Sequence, residues 1–99
     1  MIERRILLQQ KEGIGYVIPL GPVSLVFIVT KIGLIGCGAF DTVALNRFGY
    51  PAARARPSRG NVIATLEDLL EGAVKDANEC ATARGIREGM PVRDALDLL

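Results

Sequence analysis

The sequence predicts an α+β domain in which an N-terminal antiparallel β meander is followed by short helices and one further strand. Three observations carry that expectation. Ile14 to Thr30 holds no charged residue and is punctuated by Pro19, Gly21 and Pro22. Strand-like runs separated by short turns fill the first forty positions. Helix-start residues followed by apolar residues at helical spacing occur only from Asp41 onward. At 99 residues the chain makes one domain, divided here into a β-rich region over 1–40 and a mixed α/β region over 41–99.

Taken in order, Glu3 to Gln9 is β-compatible, and Lys11-Glu12-Gly13 supplies a turn. A second strand follows in which Ile14, Tyr16, Ile18 and Leu20 share one face while Gly15 and Val17 take the other. At 17 residues, the uncharged stretch reaches the lower edge of a membrane span. The Pro-x-Gly-Pro run is better explained as a turn between strands, because proline lacks the ladder donor and glycine tolerates turn dihedrals. Ser24 to Thr30 is apolar on both faces, the pattern of a strand covered from two sides. So short a chain has few helices to spare, and a second subunit's sheet is the economical cover. Lys31-Ile32-Gly33 is the next turn, and Leu34 to Ala39 the fourth strand.

Asp41 is placed to N-cap a helix from Thr42 to Phe48, with Gly49 as its stop. Ala52 to Arg56 is the further strand, and Pro57 to Asn61 a loop by composition. Thr65-Leu66-Glu67-Asp68 reads as a capping-box variant opening a helix that stops at Gly72. Asp76-Ala77-Asn78-Glu79 repeats the signal for a helix ending at Gly85. Pro91 suits the first turn of a last helix that carries Val92, Ala95, Leu96 and Leu99 on one side.

Composition narrows the function classes. Hydrophobic residues make up 49% of the chain before its 11 glycines are counted, an apolar composition for this length. A domain this small has little margin for stability, and oligomerisation is a natural remedy. The net charge is +1, with the basic excess confined to the middle of the chain around Arg47, Arg54, Arg56 and Arg59 and an acidic final third. That distribution argues against a surface that wraps nucleic acid, and no aromatic residues interleave with the arginines for base stacking. Two cysteines without a secretory signal suggest a reducing, cytoplasmic setting. The absence of histidine removes the commonest general base and zinc ligand, so neither a metal site nor a cofactor is expected.

Gly33-Leu34-Ile35-Gly36-Cys37-Gly38-Ala39-Phe40-Asp41, then Thr65-Leu66-Glu67-Asp68-Leu69-Leu70, then Gly85-Ile86-Arg87-Glu88-Gly89-Met90 resemble, in that order, the YunC-like domain-of-unknown-function family of bacteria and archaea. The resemblance spans most of the chain from about Ile14. It implies an N-terminal β region that mediates tetramerisation, and hence a homotetramer, followed by a mixed α/β part. The family's Cys-Gly pair falls on Cys37 and Gly38, its helix-opening threonine on Thr65, and its Gly-Ile-x-x-Gly-Met on Gly85, Ile86, Gly89 and Met90. Pro57 to Asn61 resembles a small insertion, and Val62 and Pro91 stand where the family often has glycine and serine. The resemblance carries no catalytic residue with it.

Two candidate sites follow from the residues. Cys37, between two glycines and close to a helix start at Asp41, is a candidate reactive thiol, with Asp41 as its neighbouring acid or base. Against this, Asp41 is itself an anion that opposes thiolate formation, and cysteine is among the most buried residue types. Arg54, Arg56 and Arg59, with backbone N–H groups at the Thr65 helix start, are a candidate site for a small anionic ligand. The competing reading is a solvated edge whose arginines pair with the acidic C-terminal part. The leading functional expectation is a homotetrameric ligand-binding or assembly module. The alternative is a small enzyme or redox protein using Cys37 near a subunit interface, with the Arg-rich segment as the site for an anionic substrate.

Overall fold

The computed structural model describes residues 1–99 and has the α+β class expected. Six strands form one sheet in sequence order: β1 (Ile2–Leu7), β2 (Glu12–Pro19), β3 (Ser24–Val29), β4 (Leu34–Gly36), β5 (Ala52–Arg56) and β6 (Ala73–Ala77). The helices are α1 (Thr42–Asn46), α2 (Leu66–Leu70), α3 (Glu79–Thr82) and α4 (Val92–Leu96). All neighbouring strands are antiparallel except β4 and β5, which run parallel because α1 lies in the connection between them.

The N-terminal meander is present, with shifted turns. Leu8 to Lys11 makes the first turn, where the Leu8 N–H donates to Lys11 O at 2.8 Å, so Glu12 and Gly13 belong to β2 rather than to the turn. Leu20 to Val23 makes the second turn, closed at 2.8 Å with Gly21 at φ +115°. In the third, Thr30 Oγ1 accepts the Ile32 and Gly33 N–H groups and donates to the carbonyl of buried Leu99 at 2.9 Å. β4 ends at Gly36, three residues short of the expected limit.

The expectation of one further strand is corrected to two. Ala73–Ala77 is a strand, and the helix start placed at Asp76 lies at Asn78 instead. Asp76 is drawn into the sheet opposite Arg54. The Asn78 side chain takes the N-cap role by accepting from the Ala81 N–H at 2.9 Å. Asp41 and Thr65 cap α1 and α2 as expected, the latter with a full capping box to Asp68.

The core lies on one face of the sheet. Val26 and Ile28 of β3, Ile35 of β4, Ala53 and Ala55 of β5 and Val74 of β6 pack with Leu66, Leu69, Val92, Leu96 and Leu99 in a single cluster. On β2 the inward positions are Gly13, Gly15 and Val17, the smaller set. A Cβ at Gly15 would lie 2.7 Å from Leu66 Cδ2, so glycine there lets α2 settle onto the sheet. The larger residues Ile14, Tyr16 and Ile18 therefore face outward, level with Leu25, Phe27 and Val29 of β3. These outward residues are half-buried, apart from Ile14, which is exposed.

Asn78 fastens the helical half to the sheet. Buried at 7% exposure, its Oδ1 accepts from the Ala52 N–H at 3.2 Å as well as from Ala81. Its Nδ2 donates to the carbonyls of Thr42 and Tyr50, each at 2.9 Å. One side chain thereby serves α1, the segment entering β5, and α3, and every polar atom it carries is paired. Removing it strands buried backbone groups, each of which costs about 1–3 kcal/mol when left unpaired. Asn78→Ala is expected to lower unfolding free energy by about 3–5 kcal/mol, measured by denaturant titration, against under about 0.5 kcal/mol for an exposed control such as Arg84→Ala.

Candidate functional site

The Gly-Cys-Gly segment leaves the end of β4 at the middle of the sheet, and its neighbours are set by register. Across the outer face a single row runs Glu3, Tyr16, Phe27, Gly36, Arg54, Asp76, one residue from each strand. Tyr16 stacks on Phe27 with centroids 5.1 Å apart, and Phe27 meets Phe40 edge-on at 5.2 Å. Phe40 reaches that position by folding back over Gly36, where a Cβ would come within 2.5 Å of its ring. Gly36 is thus the seat of an aromatic ring that extends the apolar row.

Cys37 points to a different region. Its N–H donates to Val26 O at 2.9 Å, continuing the ladder with β3. Its side chain is half-buried, packs against the core and lines a cleft of about 370 Å³ between the β2–β3 turn and the segment before α2. Leu20, Val23, Leu25, Val62 and Ile63 supply the apolar wall. Cys37 and Cys80 are both free thiols.

Asp41 does not line that cleft. Its Oδ1 accepts the Ala44 N–H at 2.9 Å as the α1 cap, and it borders a shallow depression with Gly38, Phe40 and Arg54. The sequence neighbours Cys37 and Asp41 therefore open onto separate depressions.

The basic residues are likewise distributed. Arg54 Nε donates to Asp76 Oδ1 at 2.9 Å, Nη2 pairs closely with Oδ2, and Nη1 donates to Gly38 O at 3.3 Å. This bidentate pair ties β5 to β6 and holds the Gly38 carbonyl. Hydrogen bonds from Arg54, followed by its charge and that of Lys75, hold the Asp76 carboxyl below its ordinary value. The Arg54 guanidinium is stabilised in turn by its hydrogen bonds to Asp76. Arg56 is exposed with Nη1 3.9 Å from Glu88 Oε2, and Arg59 is exposed in the loop. Thr65 spends its hydroxyl on the Asp68 N–H at 3.0 Å and borders another depression beside Arg4 and Glu67. Arg54 and Thr65 are thus not brought to one site.

Sequence reasoning missed Phe40, Asp76 and Asn78 as organising residues. Phe40 and Asp76 act through cross-strand neighbours that only the register supplies. Asn78 did carry a local signal, a capping residue directly before Glu79. No group of three or more histidine, cysteine, aspartate or glutamate residues is arranged to hold a metal ion, and no helix is long and apolar enough to cross a membrane.

A six-stranded mixed sheet with α2, α3 and α4 packed on one face and a Gly-Cys-Gly turn at its centre defines a small α+β domain. The chain belongs to the family described as domain of unknown function DUF1805, whose model matches residues 36–99, from the Gly-Cys-Gly turn onward. A crystal structure of TA1206, a protein of unknown function from Thermoplasma acidophilum, is similar at 28% identity with a TM-score of 0.84. That similarity covers 97% of this chain and 89% of the other, so it extends through the N-terminal strands that lie outside the family match. No curated protein matches the chain.

The Arg54–Asp76 pair generates a pH prediction. A carboxyl held below its unfolded value contributes stability above that unfolded value, about 3.9 for aspartate, and loses it as pH falls through the lower folded value. Because the pair is partly exposed, solvent screens it, and its loss is expected to cost no more than about 1 kcal/mol. Asp76→Asn should be less stable than the parent near neutral pH by that order, and the gap should narrow below about pH 4, read by denaturant titration at several pH values.

Proposed function

We propose that this chain is a self-assembling module, a homotetramer built through its N-terminal β region, that serves as a ligand-binding or assembly scaffold. The observation that carries the reading is the outer face of β2 and β3. Ile14, Tyr16, Ile18, Leu25, Phe27 and Val29 form an apolar field there, and the chain's helical layer lies on the opposite side. Fully burying an exposed large apolar side chain contributes about 1.5–3 kcal/mol; five of these six are already half-buried, so a second copy gains part of that figure at each, summed over the field. The YunC-like resemblance supports the same assembly, and the free thiols support a reducing, cytoplasmic setting.

Within that scaffold, the ligand class favoured by the basic residues is a small anion near Arg56 and Arg59. Arg56 is only loosely engaged by Glu88, whereas an anion at Arg54 must compete with Asp76 and one at Thr65 with its capping bonds.

Phe27→Glu places a charge at the centre of the apolar row without touching the core. Light scattering should find it smaller than the parent, a single chain of about 10.6 kDa or an edge-paired dimer, with parental far-UV circular dichroism. A parent that is itself a single chain would sink the assembly reading, and a variant that keeps the parent's multiple mass would remove this face from it.

A second reading rests on the cleft at Cys37, where a half-buried thiol meets an apolar wall. In that reading Cys37 is the nucleophile or redox group, Arg54 fixes the adjacent Gly38 carbonyl, and Asp41 acts only if the turn rearranges to bring it to the thiol. Alkylation of Cys37 in Cys80→Ser protein tests it. Labelling faster than a model thiol across neutral pH supports chemistry at Cys37, and protection until denaturation assigns it to packing.

A further inference from the structure

The two edges of the sheet are not equivalent. At β6, Val74 is bonded on its outer side by the chain itself: its N–H donates to Met90 O at 2.9 Å and its carbonyl accepts from Gly89 at 2.8 Å, while Ala73 bridges to Pro91. A bulge at Arg54/Ala55 further distorts that edge. β1 has none of these protections. It is six residues long, pairs with β2 in unbroken register, contains no proline, and has no strand beyond it. An edge of this kind presents a row of unpaired N–H and C=O groups to any strand that can match it.

We propose that β1 pairs antiparallel with β1 of a second copy, across a two-fold axis normal to the sheet at Arg4. The inference rests on the self-assembly reading and assigns one of its contacts. Such an axis keeps the outer faces of both copies on the same side, so directly opposed residues must have the same parity. That leaves three central registers. Centred on Glu3, the carboxylate opposes its own copy and Arg4 opposes Ile2. Centred on Arg5, the guanidinium opposes its own copy, with Glu3 against Leu7. Centred on Arg4, Glu3 opposes Arg5 twice on the outer face and Ile2 opposes Ile6 twice on the inner face.

Opposite charges directly across an antiparallel pair are favoured and like charges disfavoured, which selects the Arg4 register. Glu3 makes no ion pair within its own chain, and Arg5 engages Glu12 through Nε alone at 3.4 Å. Both are therefore available to the partner. The one like-charge contact, Arg4 against Arg4, is relieved because each guanidinium sits 2.7 Å from Glu67 of its own chain. The pairing makes one continuous sheet from two and carries the apolar outer face of each copy into a larger field.

Single cysteines at positions 3, 4 and 5, introduced as Glu3→Cys, Arg4→Cys and Arg5→Cys with Cys37 and Cys80 replaced by serine, test the register by oxidative cross-linking of protein whose fold and mass have been checked. Arg4→Cys is expected to form covalent dimer about tenfold faster than either neighbour, because only its Cβ atoms lie within disulfide reach of each other. If the loss of Arg4 weakens the contact, a mixture of Glu3→Cys and Arg5→Cys proteins should still cross-link more readily than either alone. An assembled protein that cross-links fastest at position 3 or 5, or nowhere, overturns the edge proposal and leaves self-assembly standing. A parent that is a single chain in solution overturns both.

Discussion

The rest of the structure depends on a limit of coverage: four helices of four or five residues can blanket only one face of a six-stranded sheet. The inner face receives α2, α3 and α4, whose Leu66, Leu69, Ala81, Val92 and Leu96 enter the core, and its residues are sized accordingly. Ala53, Ala55 and Val74, with Gly13 and Gly15, lie beneath helices that contribute leucine and valine, so the layer settles close to the backbone. The outer face keeps the larger side chains of β2 and β3 without a second layer from the same chain. An apolar sheet face of this kind is a strong determinant of behaviour in solution, because monomeric proteins rarely leave extended apolar patches uncovered.

The functional reading divides along the same line. Aromatic residues on the outer face form a short stack, Tyr16 to Phe27 to Phe40, that leads to the β4–β5 junction and stops at the Arg54–Asp76 pair. The Gly-Cys-Gly turn sits where the two faces meet. Gly36 belongs to the outer face as the seat of Phe40, while Cys37 belongs to the inner side with Ile63 and the β2–β3 turn. A motif that reads as one unit along the chain thus serves two surfaces, which explains why Cys37 and Asp41 do not share a depression.

Much of the architecture was legible in the sequence because its signals are local. Pro19 to Pro22 marks a turn whatever surrounds it, and the capping residues Asp41 and Thr65 act on backbone groups three residues away. β6 was not legible: Ala73 to Ala77 lacks β-branched residues apart from Val74, and Asp76 two residues before Asn78 imitates a helix start. Its strand conformation is imposed by β5, through the cross-strand bond of Asp76 to Arg54 and the anchoring of Asn78. The inward face of β2 was hidden for a related reason. Alternation separates Ile14, Tyr16 and Ile18 from Gly15 and Val17, but the need of Leu66 for space decides which set turns inward. For the arginines, strand parity places Arg54 and Arg56 on one face without stating which carboxylates already wait there, Asp76 for the first and Glu88 for the second.

The central claim is that the outer face of the N-terminal sheet is covered by copies of the same chain. Sedimentation equilibrium of the unmodified protein across a wide concentration range tests it most directly. The account predicts a mass that is a multiple of 10.6 kDa and, on dilution, a reversible approach to smaller species. A single 10.6 kDa species at every concentration would contradict it and leave the apolar face for a different partner.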